Sequence, residues 1–334
     1  MSEAKRFAYL KEVLIGGGAG LVALALILLG LSVSGPNLPG SNNGNGSTAQ
    51  ASSSASPSAS VAQCLVNKQI SDPLLGDVQA IVVNAADDKV LFDVNGEKAS
   101  ATASTMKLLT AAAALETFGP NYRIQTRVYR DTTDQGTIYF VGAGDPTLSR
   151  TQPGKQSVYQ DAPKLNDLAV QINRAVGTTP ITKIVADGSL FKGPQWLAGV
   201  DVSERTNGYL GLVSALQVDG DRNDPTRETS PRSANPENRA AGWLKQAIGA
   251  NASGATIVSG VMPTTAMQIA SVQSQPISNW INHMMAVSDN TQAESLARLV
   301  SLDAGMDGSF ASIDPAVKAA LRGAGIDFTG SVIM

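Results

Sequence analysis

Ser104-Thr-Met-Lys107 sets a hydroxyl and an amine three positions apart at the start of an alanine-rich run. On a helix, residues i and i+3 share one face with Cβ atoms about 5 to 6 Å apart, so the amine can reach the hydroxyl. The helix N-terminus favours an oxyanion and disfavours an ammonium, and burial pushes lysine towards the neutral form that a general base needs. This is nucleophilic chemistry without histidine. The spacing recurs in Ser2-Glu-Ala-Lys5 and Ser189-Leu-Phe-Lys192. The first lies in the N-terminal tail, and the second is bracketed by Gly188 and Gly193-Pro194, which suit a turn. Only Ser104 opens a long apolar helix.

A second constellation, Ser288-Asp-Asn290, lies between Met284-Met-Ala-Val287 and Gln292-Ala-Glu-Ser-Leu296. A short polar loop after an apolar helix can aim a hydroxyl and an amide into a cleft. The plainer reading is a helix cap, and Ser-x-Asn also occurs at Ser41-Asn-Asn43 and Ser233-Ala-Asn235. A Ser-His-Asp triad would have to use His283, the single histidine, within the helical Trp280-Ile-Asn-His-Met-Met285. A lone helical histidine is more often packed than catalytic, and there is no G-x-S-x-G. Gly142-Ala-Gly144 follows no βαβ pattern and is read as a turn.

Composition removes other chemistry. One cysteine and one histidine in 334 residues cannot build a zinc site or an internal disulfide. A net charge of -3 with 16% charged residues leaves no chain-wide basic footprint for nucleic acid.

The elements that must position these residues follow from pattern. Val78–Asn84 and Lys89–Val94 read as a hairpin turning at Ala85–Asp88, leading to a helix over Ser104–Phe118 closed by Gly119-Pro120. Arg123–Arg130 and Thr137–Val141 read as strands, followed by the turn Gly142–Pro146. The stretch from about 150 to 235 is irregular, with a helix at Lys164–Val176, a strand at Ile181–Ala186 and a polar run from Asp219 to Asn238. Helical patterning returns at Glu237–Ile248, Pro276–Val287, Thr291–Asp303 and Pro315–Arg322.

Upstream, Val13–Val33 carries no charge and is long enough, at about 1.5 Å per residue, to cross a bilayer core of about 30 Å. Lys5, Arg6 and Lys11 precede it, so residues 1–12 are expected as a cytoplasmic tail and 13–33 as a single-pass membrane anchor, with the rest extracytoplasmic. A cleaved signal peptide and secretion is the alternative. Residues 34–60, rich in Gly, Ser and Asn, read as a disordered linker. Cys64 has no partner in the sequence.

Ala103–Ala114 and Val287–Glu294 together resemble the penicillin-recognising serine acyltransferases. Within them the sequence is similar to the D-alanyl-D-alanine carboxypeptidase/endopeptidase family, the class C low-molecular-mass penicillin-binding proteins. Phe118–Arg123, Val141–Leu148, Asp187–Phe191 and Ala215–Gly220 support the resemblance, which runs from about Val61 to the end. It implies an α/β (α+β) penicillin-binding-protein/β-lactamase-like transpeptidase fold, with a large insertion between the two motifs. About 180 residues lie between Lys107 and Ser288, which suits such an insertion. The expected division is a catalytic domain over 61–119 and 271–334 and an inserted region over 120–270.

The resemblance further implies that Ser104 is the nucleophile towards the D-Ala-D-Ala carbonyl of a peptidoglycan stem peptide, with Lys107 as general base. Ser288 would relay a proton to the leaving amine, Asn290 would hydrogen-bond the substrate backbone, and the Ser104 N–H would supply half of an oxyanion hole. It implies β-lactams as acylating inhibitors and no cofactor or metal. A non-catalytic cell-wall-binding or scaffold protein of the same fold is the alternative. The family's third motif, Lys or His followed by Thr/Ser-Gly, is absent, and Phe328-Thr-Gly330 offers no cation in its place. Because the chain stops at Ser331-Val-Ile-Met334, in the middle of what reads as an apolar strand, the expectation is a chain truncated before that motif.

Overall fold

The computed structural model describes residues 67–333. Cys64, the linker over 34–60 and the expected anchor Val13–Val33 lie outside the described residues. The chain divides into two units, residues 1–95 and 96–334. In the first, β1 (Ala80–Val83) and β2 (Val90–Val94) form the expected antiparallel hairpin, closed where the Asn84 N–H donates to the Lys89 carbonyl at 2.8 Å.

Among the described residues, the second unit has two small apolar clusters and two large cores. One lies on a five-stranded mixed sheet of order β6-β5-β4-β3-β7, made of β3 (Gln125–Arg130), β4 (Thr137–Val141), β5 (Lys183–Asp187), β6 (Thr256–Ser259) and β7 (Met267–Gln273). β4 and β5 are parallel, as are β5 and β6, while β3 is antiparallel to both β4 and β7. Parallel neighbours need a crossover, supplied by α2 (Leu165–Val176) between β4 and β5 and by α3 (Pro236–Ile248) between β5 and β6. Leu165, Leu168, Ala169 and Ile172 recur at helical spacing on α2, and with Ala240 and Leu244 of α3 they bury Val128, Ile138, Phe140 and Ile184 of the sheet.

The other core is helical. α1 (Lys107–Phe118) is surrounded by α4 (Ile277–Val287), α5 (Asn290–Asp303) and α6 (Phe310–Ala320). Ala113 and Ala114 are fully buried, and their small side chains let three helices close on α1 around Trp280, Met284, Leu296 and Val317. A 3-10 turn over Ala103–Met106 leads into α1, so the expected helix from Ser104 begins as a tighter winding.

The helix expected at Pro315–Arg322 begins earlier, at Phe310. Ile313, Ala316 and Val317 all face the core, and that packing carries the helix through Pro315 despite its missing N–H. The apolar strand expected at Ser331–Met334 is absent among the described residues. There Ile333 packs into the helical core and its N–H donates to Asp314 Oδ1 at 2.8 Å. β6 and β7 escaped the sequence reading, although Thr256–Ser259 between Gly254 and Gly260 carries a short-strand signal.

The expected single-pass membrane localisation is corrected. Among the described residues no helix is long and apolar enough to cross a membrane. The longest of them, α5, has 14 residues, about 21 Å against about 30 Å of hydrocarbon.

The sheet serves the site through the loops that leave β4 and β5. At Gly142, directly after β4, a Cβ would meet the Ala215 backbone at 2.4 Å, so only glycine allows the two loops to touch. The loops then run side by side, with the Gly144 N–H on the Ala215 carbonyl, Asp219 on Leu148 and Gly220 on Pro146.

Candidate active site

Ser104 sits in the 3-10 turn, one step after Ala103, whose φ of 47° is left-handed. Lys107 begins α1 and is 7% exposed. Its Nζ lies 3.2 Å from Ser104 Oγ, within the same short turn, and donates to Asn290 Oδ1 at 2.7 Å from a distant part of the chain. Ser288 Oγ donates to Ser104 Oγ at 2.7 Å. The Asn290 amide donates to the Tyr209 carbonyl at 3.1 Å, so a loop following β5 touches the same group. All four residues expected at the site, Ser104, Lys107, Ser288 and Asn290, therefore meet.

Local backbone explains how neighbours face one way. Ser288 ends α4 in the left-handed region at φ 60°, ψ 40°, and Asp289 caps α5 by accepting the Gln292 N–H at 3.0 Å. That sharp turn between two helices sends the Ser288 hydroxyl and the Asn290 amide towards α1 while Asp289 turns into the protein.

Burial pulls the Lys107 amine below the usual lysine range, and the negative charges of Asp289 and Glu294 oppose the shift. Glu294 lies one turn beyond Asn290, and burial pushes its carboxyl up against the pull of Arg298 and Lys107. An amine with a lowered pKa, hydrogen-bonded to a serine hydroxyl that a second hydroxyl also touches, can exchange protons with Ser104. Neither oxygen nor nitrogen here needs a metal to do so, and among the described residues no group of three His, Cys, Asp or Glu is placed to hold one.

The other residues with matching spacing go elsewhere. Lys192 Nζ donates to the Ser189 carbonyl at 2.6 Å in an exposed turn, and Ser2-Lys5 lies outside the described residues. Ser233 Oγ donates to Asp221, and Asn235 caps α3. His283 pairs with Gln292 Oε1 at 2.6 Å and Glu228 Oε1 at 2.9 Å rather than with a serine. Sequence reasoning missed the surroundings of Asp289. Its Oδ2 accepts from Arg222 Nη2 at 2.8 Å and from the Tyr159 hydroxyl at 3.1 Å, both brought in by the loops after β4 and β5. The only sequence signal was the unusual density of charge in the Asp219–Asn238 run.

A mixed α/β unit thus holds a serine and a lysine at the head of a buried helix, faced by a Ser-x-Asn turn. The chain belongs to the D-Ala-D-Ala carboxypeptidase 3 (S13) family, whose model matches residues 62–231 and 221–334. It is 37% identical over 265 residues to a carboxypeptidase of Mycobacterium tuberculosis, covering 79% of this chain and 57% of that protein. It is 33% identical over 266 residues to carboxypeptidase DacB of Mycolicibacterium smegmatis, again covering 79% and 57%. The chain thus spans little more than half the length of these relatives. Its fold is similar to that of penicillin binding protein 4 from Haemophilus influenzae, with a TM-score of 0.63 at 18% identity over 76% of this chain and 69% of that one.

Proposed function

We propose that this chain carries the serine-type acyl-transfer site of a D-Ala-D-Ala carboxypeptidase/endopeptidase that acts on peptidoglycan stem peptides and is acylated by β-lactams. The observation that carries the reading is the approach of Lys107 Nζ and Ser288 Oγ to Ser104 Oγ, the latter across 184 positions of sequence. Family membership and the names of the relatives support the substrate class.

Ser104 Oγ attacks the carbonyl carbon of the penultimate D-alanine as its proton passes to neutral Lys107. The Ser104 N–H, at the start of the helical turn, donates to the oxyanion. As the C–N bond breaks, the leaving amine takes a proton through Ser288, which bridges towards Ser104 Oγ. Asn290 is held from both sides, by Lys107 and the Tyr209 carbonyl, and offers its amide to the substrate backbone. Water then adds to the acyl carbon, gives up a proton and releases the shortened peptide with Ser104 restored. No step passes through a cofactor. In this reading 61–119 and 271–334 form the catalytic domain, and 120–270, which includes β3 to β6, is inserted between the two motifs.

The test is covalent labelling of the full chain by a fluorescent penicillin. The expected result is a labelled band that disappears in Ser104→Ala. Absence of labelling in the unmodified chain would discard the acyl-transfer reading, and peptidoglycan association without acylation would favour a non-catalytic wall-binding protein.

A further inference from the structure

The middle residue of Ser288-Asp-Asn290 touches neither Ser104 nor Lys107 in this structure, yet it is among the most tightly held side chains of the unit. Asp289 is 6% exposed and divides its two oxygens. Oδ1 caps α5 through the Gln292 N–H, and Oδ2 receives Arg222 Nη2 and the Tyr159 hydroxyl. Arg222 is 2% exposed, donates also from Nη1 to the Tyr159 hydroxyl at 2.6 Å, and stacks its guanidinium over the Tyr159 ring at 4.9 Å. From Nε it reaches the Glu228 carbonyl at 3.1 Å, and Glu228 in turn meets His283 of α4.

The backbone that presents Arg222 is unusual. Asp219, Gly220 and Asp221 precede it with φ of 54°, 57° and 57°, three left-handed residues in succession, two of them non-glycine and all buried. Such backbone is costly for L-residues and persists only where surrounding bonds hold it. Here Asp219 Oδ2 is held by Arg150 at 3.0 Å, and Asp221 by Ser233 and by Arg239 at 3.2 Å. At Gly220 a Cβ would meet Arg222 Nη1 and the Tyr159 oxygen, each at 2.7 Å, so the turn is fitted to these two side chains.

We infer that Arg222 is a positioning residue for acyl transfer: delivered by the left-handed turn Asp219–Asp221, it anchors Asp289 and thereby sets the Ser288 hydroxyl and the Asn290 amide against Ser104 and Lys107. The inference rests on the acyl-transfer reading of Ser104. Asp289 is bonded covalently to both working residues, so its anchoring fixes where they point. Ser288 is itself left-handed, and without the anchor it is free to leave that region and withdraw its hydroxyl. Together with the Tyr159 hydroxyl on Asp289 and the Tyr209 carbonyl on Asn290, this ion pair between residues 67 positions apart joins the long loops from the sheet to the chemistry.

The test uses the full chain with Arg222→Ala, Arg222→Lys and the double variant Arg222→Ala/Asp289→Asn. Asparagine keeps a capping acceptor for α5 but removes the buried charge that the alanine variant leaves unpaired. Two readouts are taken on the folded fraction: amide hydrogen exchange over 288–293 compared with α6, and acylation of Ser104 by a fluorescent penicillin, split into its binding constant and its first-order acylation rate.

Arg222→Ala and Arg222→Lys are expected to raise exchange over 288–293 without raising it in α6, and to slow the first-order rate roughly 10- to 100-fold with less change in binding. The double variant is expected to recover part of both, as coupled partners do. Should the alanine variant fail to fold, the lysine and double variants carry the comparison. Folded variants with unaltered local exchange and acylation would overturn the inference, as would a fall in melting temperature alone. An unmodified chain that takes no label overturns the acyl-transfer reading and the catalytic half of the inference with it, and the exchange readout still decides whether Arg222 orders the turn.

Discussion

Replacing Lys107 separates the proton-transfer role of its amine from the packing of its stem. The side chain is 7% exposed, with Nζ 3.2 Å from Ser104 Oγ and 2.7 Å from Asn290 Oδ1. Arginine retains a donor and a charge but does not deprotonate in proteins, and methionine retains the apolar stem without a base or a charge. Loss of a positioned base costs about 10² to 10⁴ in rate, which is about 2.7 to 5.5 kcal/mol of barrier. Stability costs are smaller. The larger guanidinium overpacks a buried site by about 1 to 3 kcal/mol, and methionine leaves Asn290 Oδ1 without its donor at about 1 to 3 kcal/mol.

The assay is the first-order rate of Ser104 labelling by a fluorescent penicillin under rapid quench, divided by the folded fraction from circular dichroism. Both variants should lose about 10²-fold or more, although one is charged and the other neutral. Burial holds the Lys107 amine below its usual value of 10.5, and the neutral amine is the active form. The unmodified chain should therefore label faster as pH rises, with the midpoint of the rise below pH 10.5, while the methionine variant should lose that rise. A methionine variant within about threefold of the unmodified rate would refute the role of Lys107, because a base contributes far more than that.

Ser288→Ala and Ser288→Gly both remove the hydroxyl 2.7 Å from Ser104 Oγ, and labelling should fall about 10²-fold or more in each. Because Ser288 has φ 60°, glycine should be the more stable of the two by about 1 kcal/mol in urea denaturation. Equal midpoints would show that the left-handed turn carries no cost. His283 is desolvated, yet its bonds to Glu228 and Gln292 hold its pKa above 6.5. A raised folded value means that the added stability is complete below pH 6.5 and fades as pH rises through the raised value. Glu228 is 40% exposed, so the advantage over His283→Gln should not exceed about 1 kcal/mol in low salt. Urea midpoints measured in steps upward from below pH 6.5 check the sign, and an advantage that grows with pH would reject it.

Much of the fold was legible in periodicity. The helices at 164–176, 237–248, 276–287 and 291–303 were each read to within one residue, because apolar spacing marks all four, with Pro236 and Pro276 at the start of two and Gly177 and Gly249 at the end of two. α6 was not, since Pro315 resembles a start signal and only its neighbours' burial shows that the helix runs through it. β6 was missed although its four residues between two glycines carry a strand signal, whereas β7 is made a strand by the sheet: it is paired along one side by β3, and much of its surface stays exposed.

The sequence by itself determined the candidate chemistry. Serine and lysine three apart at the head of a buried alanine helix are neighbours in any helical winding, and one histidine and one cysteine left few other routes. What only the tertiary structure decided is which distant groups complete the site. Ser288 and Asn290 reach Ser104 and Lys107 because α4 and α5 pack on α1, an arrangement set by Trp280, Met284 and Leu296 together. Arg222 was only one charge in a polar run until a left-handed turn buried it against Asp289. Local spacing encodes contacts within a turn of helix, whereas a contact across 67 or 184 positions depends on every packing interface between its partners.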